Sequence, residues 1–340
     1  MRQLLDIQKK LIPDALETMA KRYRILQYIR LMQPIGRRSL SSSVEISERV
    51  LRAEVEFLKA QGLLHFASSG MSLTDDGAHV LDGLEEVMRE VLGLKHLEQR
   101  LAQRLQVANV TVVPGDSEQH PVVKREMGLA CVSYLKNELI AGDVVAVTGG
   151  TTVARVADMM SPGPKLHEVT FVPARGGLGE QVENQANTIS STMAKKAGAN
   201  YRLLHVPDHL SEETYQSLIQ EPTVKEVQEI ITSARIVIHG IGEAIAMANR
   251  RNSSNVVLAK LEENHAVGEA FGYYFDKTGN IIHRERTIGL HLNDVENSRA
   301  VISVAGGASK AGAIESFMNH RPSDVLITDE ACAKALLQET

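Results

Sequence analysis

The sequence predicts a chain in two joined parts, an α-rich winged helix-turn-helix followed by an α/β unit on a Rossmann-like parallel sheet, and three observations predict it. Two short helical segments around a tight turn, from Gly36 to Leu64, run into a pair of short strands. Beyond about Val107, short continuous apolar runs alternate with helical ones, which is how a parallel sheet covered on both faces reads. Four of those runs end in glycine-rich loops. The boundaries that follow are 1–77 for the first part, 78–106 for a helical linker and 107–340 for the second.

With 340 residues, 43% of them hydrophobic and 23% charged, the chain can build two cores without crosslinks. Its two cysteines, Cys131 and Cys332, each sit inside a helical pattern, so neither a disulfide framework nor a thiolate cluster is expected, and a reducing, cytoplasmic setting fits. The first thirty residues are broken by charge every few positions, which excludes a secretory core and a spanning helix; no membrane partner is expected. The net charge of −5 conceals an asymmetry. Residues 1–77 carry 12 Lys and Arg against 9 Asp and Glu, a net of +3, and the remainder carries −8. The basic end suits a polyanion such as DNA, or is simply solvated.

Within the first part, the long N-terminal helix offers Lys9, Lys10, Lys21, Arg22 and Arg24, either to a DNA backbone or only to solvent. A serine-rich helix then leads to a turn near Val44 to Ile46 and a second helix, for which Ser47 is a natural N-cap and Glu48 complements the first-turn dipole. On that helix Leu51, Val55 and Leu58 share one face, leaving Arg49, Arg52, Ala53 and Glu56 on the other. This is the layout in which the second helix enters the major groove. Arg49 and Arg52 have forked donors for guanine, and Arg37, Arg38, Ser41 and Ser42 suit phosphate oxygens. Strands at Leu64–Ala67 and Met71–Leu73 would form the wing, and Thr74 would cap an apolar-periodic helix from about Ala78 to Leu105.

In the second part, strands are predicted at "NVTVV", "DVVAVTG", "VTFVPA", "YRLLHVP", "RIVIHG", "AVISVAG" and "DVLITD". The glycine loops are Thr148–Thr152, Ala174–Glu180, His239–Ala244 and Ala305–Lys310. Glycines after a strand turn backbone N–H groups toward an anion, and the following helix adds its positive end. Thr151, Thr152 and Ser309 could add hydroxyl donors, and Lys310 a full charge. No G-x-x-x-x-G-K-[ST] occurs, and "GIGEAI" lacks the last glycine of a dinucleotide fingerprint and puts Glu243 where a pyrophosphate would sit. A small sugar phosphate remains, with Arg175 and the pair Arg250 and Arg251 able to neutralise a second phosphate. Glu269 could accept sugar hydroxyls, or could be an exposed helical glutamate. Acid–base chemistry on such a sugar would draw on Glu180, His239, His265, Glu269, Asp329 or Glu330, but none forms a recognisable constellation, and the 12 histidines show no metal-ligand spacing.

Long strings in both parts, among them "QPIGRRSL", "ISERVLR", "VAVTGGTT", "FVPARGGLGE", "QANTI", "MANRRN", "EAFGYYF" and "VAGGASKA", resemble the SorC/DeoR-like family of sugar-responsive bacterial transcriptional repressors over essentially the full length. The resemblance implies an effector domain of the glucosamine-6-phosphate deaminase type that acts as a sensor, with no catalytic residues, no cofactor and no metal. It implies an operator ahead of a glycolytic operon as the DNA, and fructose-1,6-bisphosphate as the effector. Gly149, Gly150, Thr151, Thr152, Ser309 and Lys310 would then hold one phosphate, and Arg175 and Arg250 the other. Glu269 would approach the sugar, Gln185 would complete the set, and the loop carrying Gly176, Gly177, Gly179 and Glu180 would close over it. The DNA set would be Arg37, Arg38, Ser41, Ser42, Ser47, Glu48, Arg49 and Arg52, presented by a dimer or tetramer.

Overall fold

The structure is a computed structural model that describes residues 7–338 except 9 and 178–180. The chain forms two compact units, one of residues 1–97 with 120–122 and the other of the remainder.

The first unit contains α1 (Pro13–Met32), α2 (Arg37–Val44), α3 (Glu48–Ala60), β1 (Leu64–Ala67), β2 (Gly70–Leu73) and α4 (Asp75–Val91). Leu51, Val55 and Leu58 of α3 are buried, as are Leu40 and Val44 of the contacting α2. The Ser47 hydroxyl accepts the Val50 N–H at 3.4 Å and caps α3, and Thr74 accepts from Gly77 at 3.0 Å and caps α4. β1 and β2 pair antiparallel from Leu64↔Leu73 to Ala67↔Gly70, so the second wing strand begins one residue before Met71. Ile35 extends this ladder by exchanging both backbone hydrogen bonds with Met71, at 3.1 and 2.8 Å.

Two expectations are corrected here. The helix predicted from Ala78 to Leu105 is divided at Leu92 and Gly93, where Gly93 takes φ 74, and resumes as α5 (Leu94–Leu105). In addition, α4 groups with the winged helix, whereas a linker had been predicted from residue 78. The physical reason is its packing: α4 contacts α1, Leu81 is fully buried, and a Cβ on Gly77 would stand 2.1 Å from the Leu63 carbonyl oxygen.

In the second unit the strands are β3 (Asn109–Val113), β4 (Val144–Val147), β5 (Thr170–Pro173), β6 (Asn200–Tyr201), β7 (Ile236–His239), β8 (Gly242–Glu243), β9 (Ala266–Ala270), β10 (Tyr273–Asp276), β11 (Ile281–Arg284), β12 (Ala300–Val304) and β13 (Val325–Asp329). Each of the seven predicted runs contributes a strand to one sheet, parallel throughout, in the order β3-β13-β12-β7-β4-β5-β6. β4, β7, β12 and β13 are apolar and buried nearly throughout, the reason they read as continuous rather than alternating runs. Of "YRLLHVP" only Tyr201 pairs in the sheet, together with Asn200 just before it. Further along, the Asn187 side chain satisfies Leu204 in place of a neighbouring strand, accepting its N–H at 3.0 Å and donating to its carbonyl at 2.9 Å.

From β4 the chain steps outward through β5 to β6, then returns on the other side of β4 as β7, β12 and β13. The strand order therefore reverses between β4 and β7, and a crevice opens at their C-terminal ends. A second, antiparallel sheet, β11-β10-β9-β8, was not predicted; it brings Glu269 to the crevice on a strand rather than a helix.

Candidate effector-binding and DNA-reading sites

The four glycine loops leave β4, β5, β7 and β12, which are neighbours in the sheet, so they share one rim. Local hydrogen bonds stitch the rim: Thr148 N–H donates to Ile238 at 3.0 Å, Gly240 N–H to the Thr148 hydroxyl at 3.3 Å, and Gly150 N–H to Asn184 at 2.8 Å. α6 (Pro121–Glu138) precedes β4, and α7 (Thr151–Met159) follows it. No side chain caps α7; its N-cap Gly150 takes φ 130, and the first-turn residues Thr151 and Thr152 line a cavity.

That cavity encloses about 1000 Å³, solvent at its mouth included. Gly149, Gly150, Thr151 and Thr152 line it from the first loop, and Arg175 and Gly176 from the second. Gln185 lies just before α8 (Ala186–Ala197), and Arg250 ends α9 (Ala244–Arg250); they, Glu269 and Lys310 complete the predicted residues found there. Gly177 and Ser309 do not line it. Gly177 is held by Val206, to which its N–H donates at 3.0 Å. Ser309 turns to Glu118: its hydroxyl donates to one carboxylate oxygen and its N–H to the other at 3.3 Å. Gly179 and Glu180 lie outside the described residues.

A four-membered charge network forms the cavity's inner wall. Arg175 Nε donates to Asp208 at 2.5 Å, and Arg251 Nε meets the other Asp208 oxygen at 3.2 Å. Arg251 also reaches Glu269 at 2.8 Å and the Tyr274 hydroxyl at 2.9 Å. All four charged side chains are only 2% to 7% exposed. Burial opposes the Arg251 charge, yet Glu269, Tyr274 and Asp208 together hold its pKa above the ordinary value. Arg175 is satisfied only at Nε: both terminal nitrogens are buried without a hydrogen-bond partner, the nearest carboxylate oxygen of Glu269 being 3.7 Å away. Buried charged donors that lack a hydrogen-bond acceptor are costly, so an acceptor reaching them through the cavity that Arg175 lines would be favoured. Gly272 makes the arrangement possible, since a Cβ there would stand 2.6 Å from both nitrogens and φ is 80.

Asp208 was missed by the sequence reading, and Arg251 was read only as a companion of Arg250. The available signal for Asp208 was an acid placed directly after an apolar run, where a ligand-facing loop begins. Across the rim, Lys310 is half-buried, and burial followed by the charges of Lys124 and Arg250 lowers its pKa, with Glu118 opposing.

Of the acid–base candidates Glu269 stands in the cavity wall and Glu180 lies outside the described residues, while His239, Asp329 and Glu330 are engaged elsewhere. His239 is buried, with Nε2 2.7 Å from Ser303 Oγ and its ring 4.5 Å from that of Phe271; burial lowers its pKa to about 4. Asp329 accepts backbone N–H groups from Ser117 at 2.9 Å and Cys332 at 2.8 Å. Glu330 takes the Gly115 N–H at 3.2 Å, and His265 is exposed in a tight turn. Among the described residues, no group of three His, Cys, Asp or Glu side chains could hold a metal ion.

In the first unit Arg37, Arg38, Ser42, Ser47, Glu48, Arg49 and Arg52 are all exposed, as a groove-reading surface requires. Arg52 pairs with Glu56 at 2.9 Å, and Arg38 stands 3.8 Å from Glu48. Ser41 departs from the expectation: it is buried, and its hydroxyl donates to the Ile46 carbonyl at 2.6 Å across the helix-turn-helix turn. Lys21 and Arg22 are likewise occupied, pairing with the buried Glu54 at 2.5 and 2.8 Å. Lys9 lies outside the described residues.

A winged helix joined to an α/β unit whose sheet rim carries an anion-suited cavity defines a class of protein: a DNA-binding regulator that answers to a sugar-type ligand. Residues 18–88 match the family described as "CggR N-terminal DNA binding domain", and residues 89–338 the family described as "Putative sugar-binding domain". The chain belongs to the SorC/DeoR-like family of transcriptional regulators. It is 54% identical to the Central glycolytic genes regulator of Priestia megaterium over 340 residues, covering 100% of this chain and 99% of that one. Against the protein of the same name from Bacillus subtilis it is 53% identical over 339 residues, with 100% of both chains covered. The crystal structure of the "putative SorC family transcriptional regulator" from Enterococcus faecalis superposes with a TM-score of 0.68 at 43% identity, covering 71% of this chain and 99% of that one. These relatives are named as regulators of transcription, and the chain is a regulator rather than an enzyme.

Proposed function

We propose that this protein represses a glycolytic operon by binding its operator through the winged helix, and that fructose-1,6-bisphosphate, bound at the rim of the parallel sheet, relieves the repression. The observation that carries the reading is the buried Arg175 fork, whose two terminal nitrogens have no hydrogen-bond partner, in the wall of a cavity also lined by Lys310, Arg250 and the uncapped start of α7. A bisphosphate offers one anionic group to the Arg175 and Arg250 side of the cavity and another to Lys310 and the start of α7. The sugar lies nearest Glu269, with Gly176 in the same lining. The names of the relatives from Priestia megaterium and Bacillus subtilis, regulators of central glycolytic genes, support the choice of operon. The reading extends to a symmetric dimer or tetramer acting in the cytoplasm, since paired winged helices gain operator specificity by engaging neighbouring half-sites. No organic cofactor or metal enters the mechanism.

The effector acts by differential affinity: it binds better to the arrangement that presents the two reading heads poorly, and so shifts the population away from the DNA-bound form. Titrating an operator complex with a panel of sugar phosphates tests this. Release by fructose-1,6-bisphosphate at concentrations where fructose-6-phosphate has no effect is expected; a complex unchanged across the panel contradicts the induction mechanism while leaving DNA binding intact.

A further inference from the structure

Glu118 lies in the loop between β3 and α6, outside the cavity lining, and the effector mechanism makes no use of it. Its carboxylate takes both the hydroxyl and the backbone N–H of Ser309, in the glycine loop after β12. That loop is shaped to admit it. Gly307 takes φ 100, and a Cβ there would stand 2.5 Å from Glu118 Cγ, 2.6 Å from Cδ and 2.8 Å from Oε1. The next residue after Ser309 is Lys310, which does line the cavity, and Glu118 offsets the Lys124 and Arg250 charges that bear on it. An acidic side chain thus occupies donors of the turn whose other end faces the anion-suited cavity.

We propose that the Glu118 carboxylate is an internal competitor of the effector phosphate, a latch on Ser309 that an incoming phosphate dianion displaces, so that Glu118 weakens effector affinity. This rests on the reading of the cavity as a sugar-phosphate site. The carboxylate and the phosphate are like charges and seek the same cation and the same hydroxyl, so binding one disfavours the other. Several features make the latch releasable. Glu118 and Ser309 are both exposed, whereas the preceding residue is fixed: Ser117 is buried, and its N–H donates to Asp329 at 2.9 Å. The loop can therefore keep its anchor while one side chain swings away, and a hydrogen-bonded carboxylate at the surface is held only weakly.

Calorimetric titration of the full chain with fructose-1,6-bisphosphate tests the proposal, using Glu118→Ala, Glu118→Gln, Ser309→Ala and the double variant Glu118→Ala with Ser309→Ala. Glu118→Ala is expected to bind roughly three- to tenfold more tightly than the unaltered protein, the range of one surface charge-assisted contact. Glu118→Gln, which loses the charge but keeps an acceptor, is expected to fall between. The gain from Glu118→Ala is expected to shrink when Ser309 is already alanine, because the latch then has no anchor. Unchanged or weaker binding by Glu118→Ala overturns the proposal, and so does an equal gain in the Ser309→Ala background, which would reduce the effect to unspecific charge. If the unaltered protein takes up no fructose-1,6-bisphosphate, the reading of the cavity fails and the latch with it; if it binds and the variants match it, the latch alone fails.

Discussion

At the scale of single residues, the site is organised by buried charge. Asp208 holds Arg175 and Arg251 by their Nε atoms, and Glu269 holds Arg251 again, so two arginines are kept charged in a nearly dry wall with two carboxylates as counterions. Of these two arginines, Arg175 is the one whose terminal nitrogens lack a hydrogen-bond partner. Arg175→Ala is therefore expected to lower effector affinity by about 100-fold, the order of losing two charged hydrogen bonds. Arg175→Lys is expected to fare little better, since an ammonium cannot reproduce a planar fork. Calorimetry reads both. Lys310 supplies a second test, in pH. Its pKa is lowered by burial and by Lys124 and Arg250, and a bound dianion raises it again, so binding takes up protons once the pH approaches the lowered value. Effector affinity is expected to fall as the pH rises through that lowered pKa, sooner than for an ordinary lysine, and Lys310→Arg, which stays protonated, is expected to flatten that fall.

At the scale of elements, the winged helix is joined by one ion cluster. Glu54 on α3 is nearly buried between Lys21 and Arg22 of α1, and although burial pushes its carboxyl up, the two cations hold it below the ordinary value. A depressed carboxylate contributes stability above its unfolded pKa and loses it as pH falls through the folded one. Glu54→Gln is expected to destabilise the first unit by about 1–2 kcal/mol at neutral pH, discounted because the cations are a third exposed, with the difference vanishing in acid. Thermal melts at two pH values check this. On the reading face, Arg52→Ala is expected to weaken operator binding by about tenfold or more, after Arg52 has exchanged Glu56 for a base edge, and a filter-binding or anisotropy series across salt concentrations measures it. Most of these elements were legible in the sequence. The helix pair, the Ser47 and Thr74 caps and the seven parallel strands each carry a local signal, apolar period or cap, that tertiary packing did not override. The second sheet carries none: β8 is two residues long, and β9 and β10 run together as "AVGEAFGYYF" with only Phe271 and Gly272 between them. From the residues alone Glu269 consequently read either as an acceptor for sugar hydroxyls or as an exposed helical glutamate. The contact of Ser309 with Glu118 was hidden for a different reason, since the two lie 191 residues apart and no local pattern announces it.

At the scale of the whole molecule, the proposed regulation is linkage between two ligands on one chain. Whatever factor the bisphosphate removes from operator affinity, the operator must remove from bisphosphate affinity, because binding free energies around a closed cycle sum to zero. Calorimetric titration of the effector with and without saturating operator duplex is expected to return the same ratio as operator titrations with and without effector. Shifting a repressor from mostly bound to mostly free takes a preference of about 10⁴ between the two arrangements, which a doubly anchored ligand can supply and a singly anchored one cannot. The most direct test follows the anisotropy of a labelled operator held by the unaltered protein and by Arg175→Ala while fructose-1,6-bisphosphate is added. Release from the unaltered protein, with Arg175→Ala binding the same DNA but keeping it at every effector concentration, is the predicted result. Equal release from both proteins, or release from neither, would contradict the claim that a bisphosphate gripped by Arg175 at the sheet rim governs the reading heads.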